Sequence, residues 1–137
     1  MDVQNLAYTL IQVVHNFGAV GVVGAAFLAL RADRLESDRR RYLAWLVLFA
    51  WSVQILSGAG FGAVSFYFYG QFPDIHGAAI AALIVKVICA MTGIVLALAY
   101  LRLGPNWSAV GHARAWQALA SLGVVALTAA AVLRWFS

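Results

Sequence analysis

Four long apolar stretches, Asn5–Leu30, Tyr42–Tyr69, Ala78–Leu101 and Ala115–Phe136, take up most of the 137 residues. A helix that crosses a bilayer needs roughly 20 predominantly apolar residues, and each stretch reaches that length. Backbone amides in hydrocarbon must pair within their own segment, so each stretch is expected as one spanning α-helix. Too little chain remains for a soluble domain. The expectation is an all-α protein with a single transmembrane domain over 1–137. Short connections favour antiparallel neighbours, which predicts an integral membrane four-helix up-down-up-down bundle.

Composition agrees. Hydrophobic residues make up 64% and charged residues 10%, against about 25% charged in a soluble domain. The net charge of +4 does not point to nucleic acid, because the basic residues cluster at loops. Arg31, Arg34, Arg39, Arg40 and Arg41 fall in a first loop of about ten residues, partly offset by Asp33, Glu36 and Asp38. Arg102 and Arg114 flank the third loop, while the second, Gln71–Gly77, has no Lys or Arg. The positive-inside rule makes loops one and three cytoplasmic and puts both termini outside.

Cys89 is the lone cysteine, which excludes an intrachain disulfide. The start, Met1-Asp2-Val3-Gln4-Asn5, has no basic n-region, and the first apolar run exceeds an h-region, so it reads as a retained helix. Phe72-Pro73-Asp74 is expected to end helix 2. Pro105 and Ser108 are the stop and start signals around the third loop.

Against this background two ionisable residues stand out. Lys86 lies in the middle of the third stretch and His15 at a comparable depth in the first, each roughly 15 Å in from the outer side at 1.5 Å per residue. A charge at the bilayer centre costs about 2.5–3.5 kcal/mol, so such residues are expected to face the bundle interior. Helical spacing puts Tyr8, Gln12, His15 and Ala19 on one stripe, with Gly18, Gly21 and Gly24 as small residues for close helix approach. The Lys86 stripe is Ala79, Ala82, Ala90, Gly93 and Ala97, all small. In helix 2, Gln54, Ser57 and Gly58 form a polar and small patch, with Gln54 at ~18 Å. These residues define a polar layer that would ligate a metal or haem iron, or move protons. The structural alternative is a hydrogen-bond cluster that staples helices.

The remaining candidates are weaker. His76, beside Asp74 at the outer edge, would shuttle protons or act as a second ligand. His112, near Arg114 and Trp116, reads as an interfacial belt residue. Cys89 and Met91 are soft ligands on different faces of helix 3, and a copper(I) site from them would need partners from other helices. Trp51 lies deep enough to pack on a flat ligand, although core packing is the plainer reading. No phosphate-cradling glycine loop, HExxH pattern or Ser-His-Asp arrangement occurs.

The layout resembles two bacterial membrane families, the HemJ-type protoporphyrinogen oxidases and the copper-resistance protein D (CopD) proteins. The resemblance is carried by His15 with Gly24 nine residues later, the basic first loop, Lys86, and Arg114-Ala115-Trp116 leading into the last apolar run. It departs at Val22, where the former family usually has tryptophan, and in the ten residues between His76 and Lys86. The resemblance implies haem b as cofactor, oxidoreductase chemistry, and essential roles for His15 and Lys86. The site expected on this basis has His15 and Lys86 as catalytic residues. His15, Lys86, Tyr8, Gln12, Gln54 and Ser57 would surround the cofactor, and His15, Lys86 and His76 would be the metal ligands.

Two further readings stand beside it. One is a non-enzymatic accessory subunit packing against a larger respiratory or photosynthetic membrane complex. The other is a copper-handling membrane protein. In each reading the chain is a multi-pass protein of the bacterial inner membrane whose partners are the lipid bilayer and a membrane-protein complex or further copies of itself.

Overall fold

The computed structural model describes residues 2–31 and 36–136. They form four long helices, α1 (Val3–Arg31), α2 (Ser37–Tyr69), α3 (Ala78–Leu103) and α4 (Ala109–Phe136), with a 3-10 turn at Gly104–Asn106. All four are long and apolar enough to cross a membrane, and no strand occurs among the described residues.

Helices α2 and α4 begin earlier than their apolar stretches, because polar opening turns extend them. Helix α2 begins at Ser37 rather than Tyr42, so Asp38, Arg39, Arg40 and Arg41 lie in its opening turns instead of in a loop. Asp38 in the first turn suits the positive end of the helix dipole. Asp33 and Arg34 lie outside the described residues. At its other end α2 stops at Gly70, before Phe72-Pro73-Asp74. Gly70 is left-handed at φ 68°, and its N–H donates to the Phe66 carbonyl at 2.9 Å; a left-handed glycine is a common C-terminal cap. Helix α4 starts six residues before Ala115, at Ala109. Ser108 caps it as its sequence position implies, its Oγ accepting the Gly111 N–H at 3.2 Å.

Each helix packs against its sequence neighbours, and α4 closes the ring on α1, while α1 and α3 face each other across a diagonal with at most marginal contact. Helices α1 and α2 run antiparallel. Gln4 bonds to Tyr69, Tyr8 stacks near Phe61, His15 meets Ser57, and Gly21 lies against Ala50. Gly18 is where this approach is closest. A Cβ there would sit 2.7 Å from Gln54 Nε2 and 2.9 Å from Val53 Cγ1, so only glycine leaves α2 in place. Gly24, by contrast, has nothing within 4 Å of a built Cβ and is not a packing glycine.

The core is lopsided. Its large members, Trp51, Leu119, Val47, Tyr100 and Trp116, belong to the arginine-rich half of the bundle. Outside that cluster, the buried residues are small, among them Ser57, Ser65, Ala79, Ala82 and Ala129. Residues such as Leu10, Phe17, Phe49, Ile84 and Val95 are exposed. That amount of apolar surface is foreign to a soluble monomer and ordinary against lipid. The chain is a multi-pass membrane bundle.

Candidate functional site

His15 is held to α2 from two sides. Its Nδ1 lies 2.7 Å from Ser57 Oγ, and its backbone carbonyl accepts a bond from Gln54 Nε2 at 2.5 Å. Ser57 in turn donates its single hydroxyl proton to the Val53 carbonyl at 2.5 Å. That back-bond favours Ser57 Oγ as the acceptor of an Nδ1 proton from the imidazole, the tautomer that leaves Nε2 as an unprotonated lone pair. Phe61 backs the ring edge-on with centroids 5.7 Å apart, and Tyr8 stacks on Phe61 at 6.3 Å and 17°.

Lys86 is half-buried on α3, and the flanking members of its stripe, Ala79, Ala82, Ala90, Gly93 and Ala97, are all buried. The stripe therefore faces protein, as the small residues imply. Its level follows from a contact between α2 and α3. Trp51 packs on Gly93, where a Cβ would meet the indole Nε1 at 2.3 Å. From that contact, Lys86 and Ser57 both lie ~10 Å toward the connector 70–77. Lys86 and His15 thus share a layer, on helices that lie diagonal to one another rather than as a packed pair.

Ser57, Gln54, Tyr8 and Lys86 gather around or level with His15. Gln12 does not. It is exposed and bonds to Asn16 Oδ1 on its own helix at 2.7 Å. His76 is also elsewhere, paired with Asp74 at 3.2 Å in the exposed connector. Among the described residues no three His, Cys, Asp or Glu side chains form a metal-holding group. Cys89 is buried in the core while Met91 is exposed on another face, so the two offer no shared copper site.

Two features escaped the sequence. Phe61, one turn beyond Ser57, flanks His15; the i+4 spacing was the available signal. The other is a cluster at the arginine-rich end. Buried Tyr100 accepts the Trp116 Nε1 proton at 3.1 Å and lies 2.8 Å from His112 Nδ1. Trp107, His112 and Trp116 surround its ring with centroids 5.7, 5.3 and 5.1 Å away. An indole can only donate, so Tyr100 Oη accepts from Trp116 while it also pairs with His112 Nδ1. The expected belt histidine is therefore part of a side-chain network joining α3 to α4. Trp51, read as core packing, is 2% exposed, and its Nε1 is the one buried side-chain polar atom among the described residues without a partner.

Compared with known protein families, curated proteins and solved structures, the chain matches none.

Proposed function

We propose that this protein is an integral membrane b-type haem-binding protein acting in redox chemistry. In this reading the bundle runs up-down-up-down in a bacterial inner membrane, with both termini outside. The observation that carries it is the Nδ1 contact of His15 with Ser57, which leaves Nε2 as a free lone pair inside a spanning bundle. Histidines that bind metals are typically oriented by an acceptor on the other ring nitrogen, and neutral imidazole is a good iron ligand.

Two features fit a haem on this face. The donor set needs no cluster of acidic or sulfur ligands, because one or two axial ligands suffice. The half of the bundle that holds His15 buries only small side chains.

When bound, the haem supplies a one-electron iron couple. The chain's own contribution is to hold and charge the site. His15 Nε2 is the ligand, Ser57 fixes the ring, and Gln54 anchors the His15 backbone. Lys86 stands level with the ring, as a second ligand when its amine is neutral or as a proton donor when it is charged. In porphyrinogen oxidation, the finer proposal, the substrate loses protons together with electrons, so Lys86 would act there as a neutral amine that accepts a proton. His76 and Gln12 have no part in it.

The test is the absorption spectrum of protein purified from haem-replete cells. A Soret band that His15→Ala abolishes, with helix content unchanged, supports the assignment. A colourless, folded preparation that takes up no added haem refutes it. That outcome would favour the accessory-subunit reading, for which Gly24 and Gly58 are suited. Neither has a neighbour within 4 Å of a built Cβ, so another membrane helix could approach closely there.

A further inference from the structure

Helices α1 and α4 do not close fully against each other at the arginine-rich end. Val22 and Val23 pack on Gly123. Beyond them the helices leave a groove of about 460 Å³, open on its outer side and lined by Phe27, Leu30, Val124 and Val125, with Gln117 and Ser121 as its polar members. The groove lies within the spanning segments, so its open side faces lipid.

Its mouth is marked by charge. Arg31 follows Phe27 by four residues, and Arg114 precedes Gln117 by three, so each arginine continues a stripe that lines the groove. Both are exposed. The one ion pair among the described residues is His76–Asp74, in the connector 70–77. An apolar channel between two helices, ending in two cations from different helices, matches one kind of ligand. Its tail is hydrocarbon and its head is an anion at the membrane surface.

We infer that the α1–α4 groove holds an anionic phospholipid, with an acyl chain along Phe27, Leu30, Val124 and Val125 and the phosphate between Arg31 and Arg114. Gln117, one turn (~4.5 Å) from Arg114, lies where the ester carbonyls of a glycerolipid fall. Basic sites between spanning helices are suited to anionic headgroups, each Lys or Arg strengthening binding roughly fivefold near the surface. A second copy of the chain is the poorer occupant. A two-fold axis along the membrane normal would set Arg114 at the same depth as its mate, and like charges would meet. This inference does not depend on the His15 site.

Native mass spectrometry of the detergent-purified protein, titrated with dioleoyl phosphatidylglycerol or dioleoyl phosphatidylcholine, tests it. Phosphatidylglycerol should bind at least about tenfold tighter than phosphatidylcholine. Arg31→Gln with Arg114→Gln should weaken phosphatidylglycerol roughly 30-fold and leave phosphatidylcholine unchanged. Arg39→Gln with Arg41→Gln, on α2 at the same end but off the groove, should change neither. Ser121→Phe, which fills the groove from an exposed position, should lower both lipids. If the double arginine variant does not fold, Arg114→Gln alone should still cost roughly fivefold. Equal affinity for the two lipids, an equal loss from the α2 pair, or a dimer that carries no lipid and dissociates with Ser121→Phe would each overturn the inference.

Discussion

His15 Nδ1 and Ser57 Oγ meet at 2.7 Å across the α1–α2 interface, and the Ser57 proton is already given to Val53. That back-bond favours His15 Nδ1 as the donor in the His15–Ser57 bond. A serine that looks like helix filler decides which imidazole nitrogen is left to do chemistry.

Ser57→Ala should therefore weaken haem binding by roughly 10–100-fold, the usual effect of losing a ligand's orienting partner. The fold should lose only about 1 kcal/mol. Haem titration followed by absorption reads the first effect and thermal unfolding by circular dichroism the second. Unchanged affinity would remove Ser57 from the site.

Lys86→Met separates function from packing. Methionine keeps the length and flexibility of the side chain while removing a charge that is costly in a span. The variant should fold with a melting temperature at or above that of the parent, yet lose haem uptake or turnover. Unfolding with Lys86→Met would instead make the lysine a structural staple.

Gly93→Ala should destabilise the bundle by about 1–3 kcal/mol, as overpacking does, because the added methyl would clash with Trp51 Nε1. Combining it with Trp51→Phe, which removes that nitrogen, should recover at least about 0.5 kcal/mol relative to the sum of the single changes. Strict additivity in melting experiments would contradict the contact.

Tyr100→Phe should cost about 1–3 kcal/mol, since it strands the Trp116 N–H, whose residue is 3% exposed. Adding Trp116→Phe should return part of that loss by removing the orphan donor. The pair is best followed by intrinsic fluorescence and thermal unfolding, with haem binding at the other end expected to stay unchanged.

Local chemistry made much of this legible. Helix existence followed from run length, because a lipid-exposed backbone has no alternative partner. The protein-facing stripe of Lys86 followed from its small neighbours. Ser108 announced the start of α4 by capping. Other features were not readable from residue order. The stripe rule put Gln12 beside His15, but the real stripe is broad, and Gln12 found Asn16 on its own helix. The end of α2 at Tyr69 was legible, but its means was not: the left-handed Gly70 caps it ahead of Phe72-Pro73-Asp74. His112 looked interfacial because its partner, Tyr100, is on another helix.

Residue order alone determined that there are four apolar helices, about where they lie, and that His15 and Lys86 sit at matching depths. Those are one-dimensional quantities, set by hydropathy and a rise of 1.5 Å per residue. Only the tertiary structure decided which helices touch, that α1 and α3 lie diagonal to each other, and that Ser57 is the partner of His15 Nδ1. Those depend on how the helices rotate and approach, and that was set by close contacts such as Gly18 against Val53 and Gly93 against Trp51.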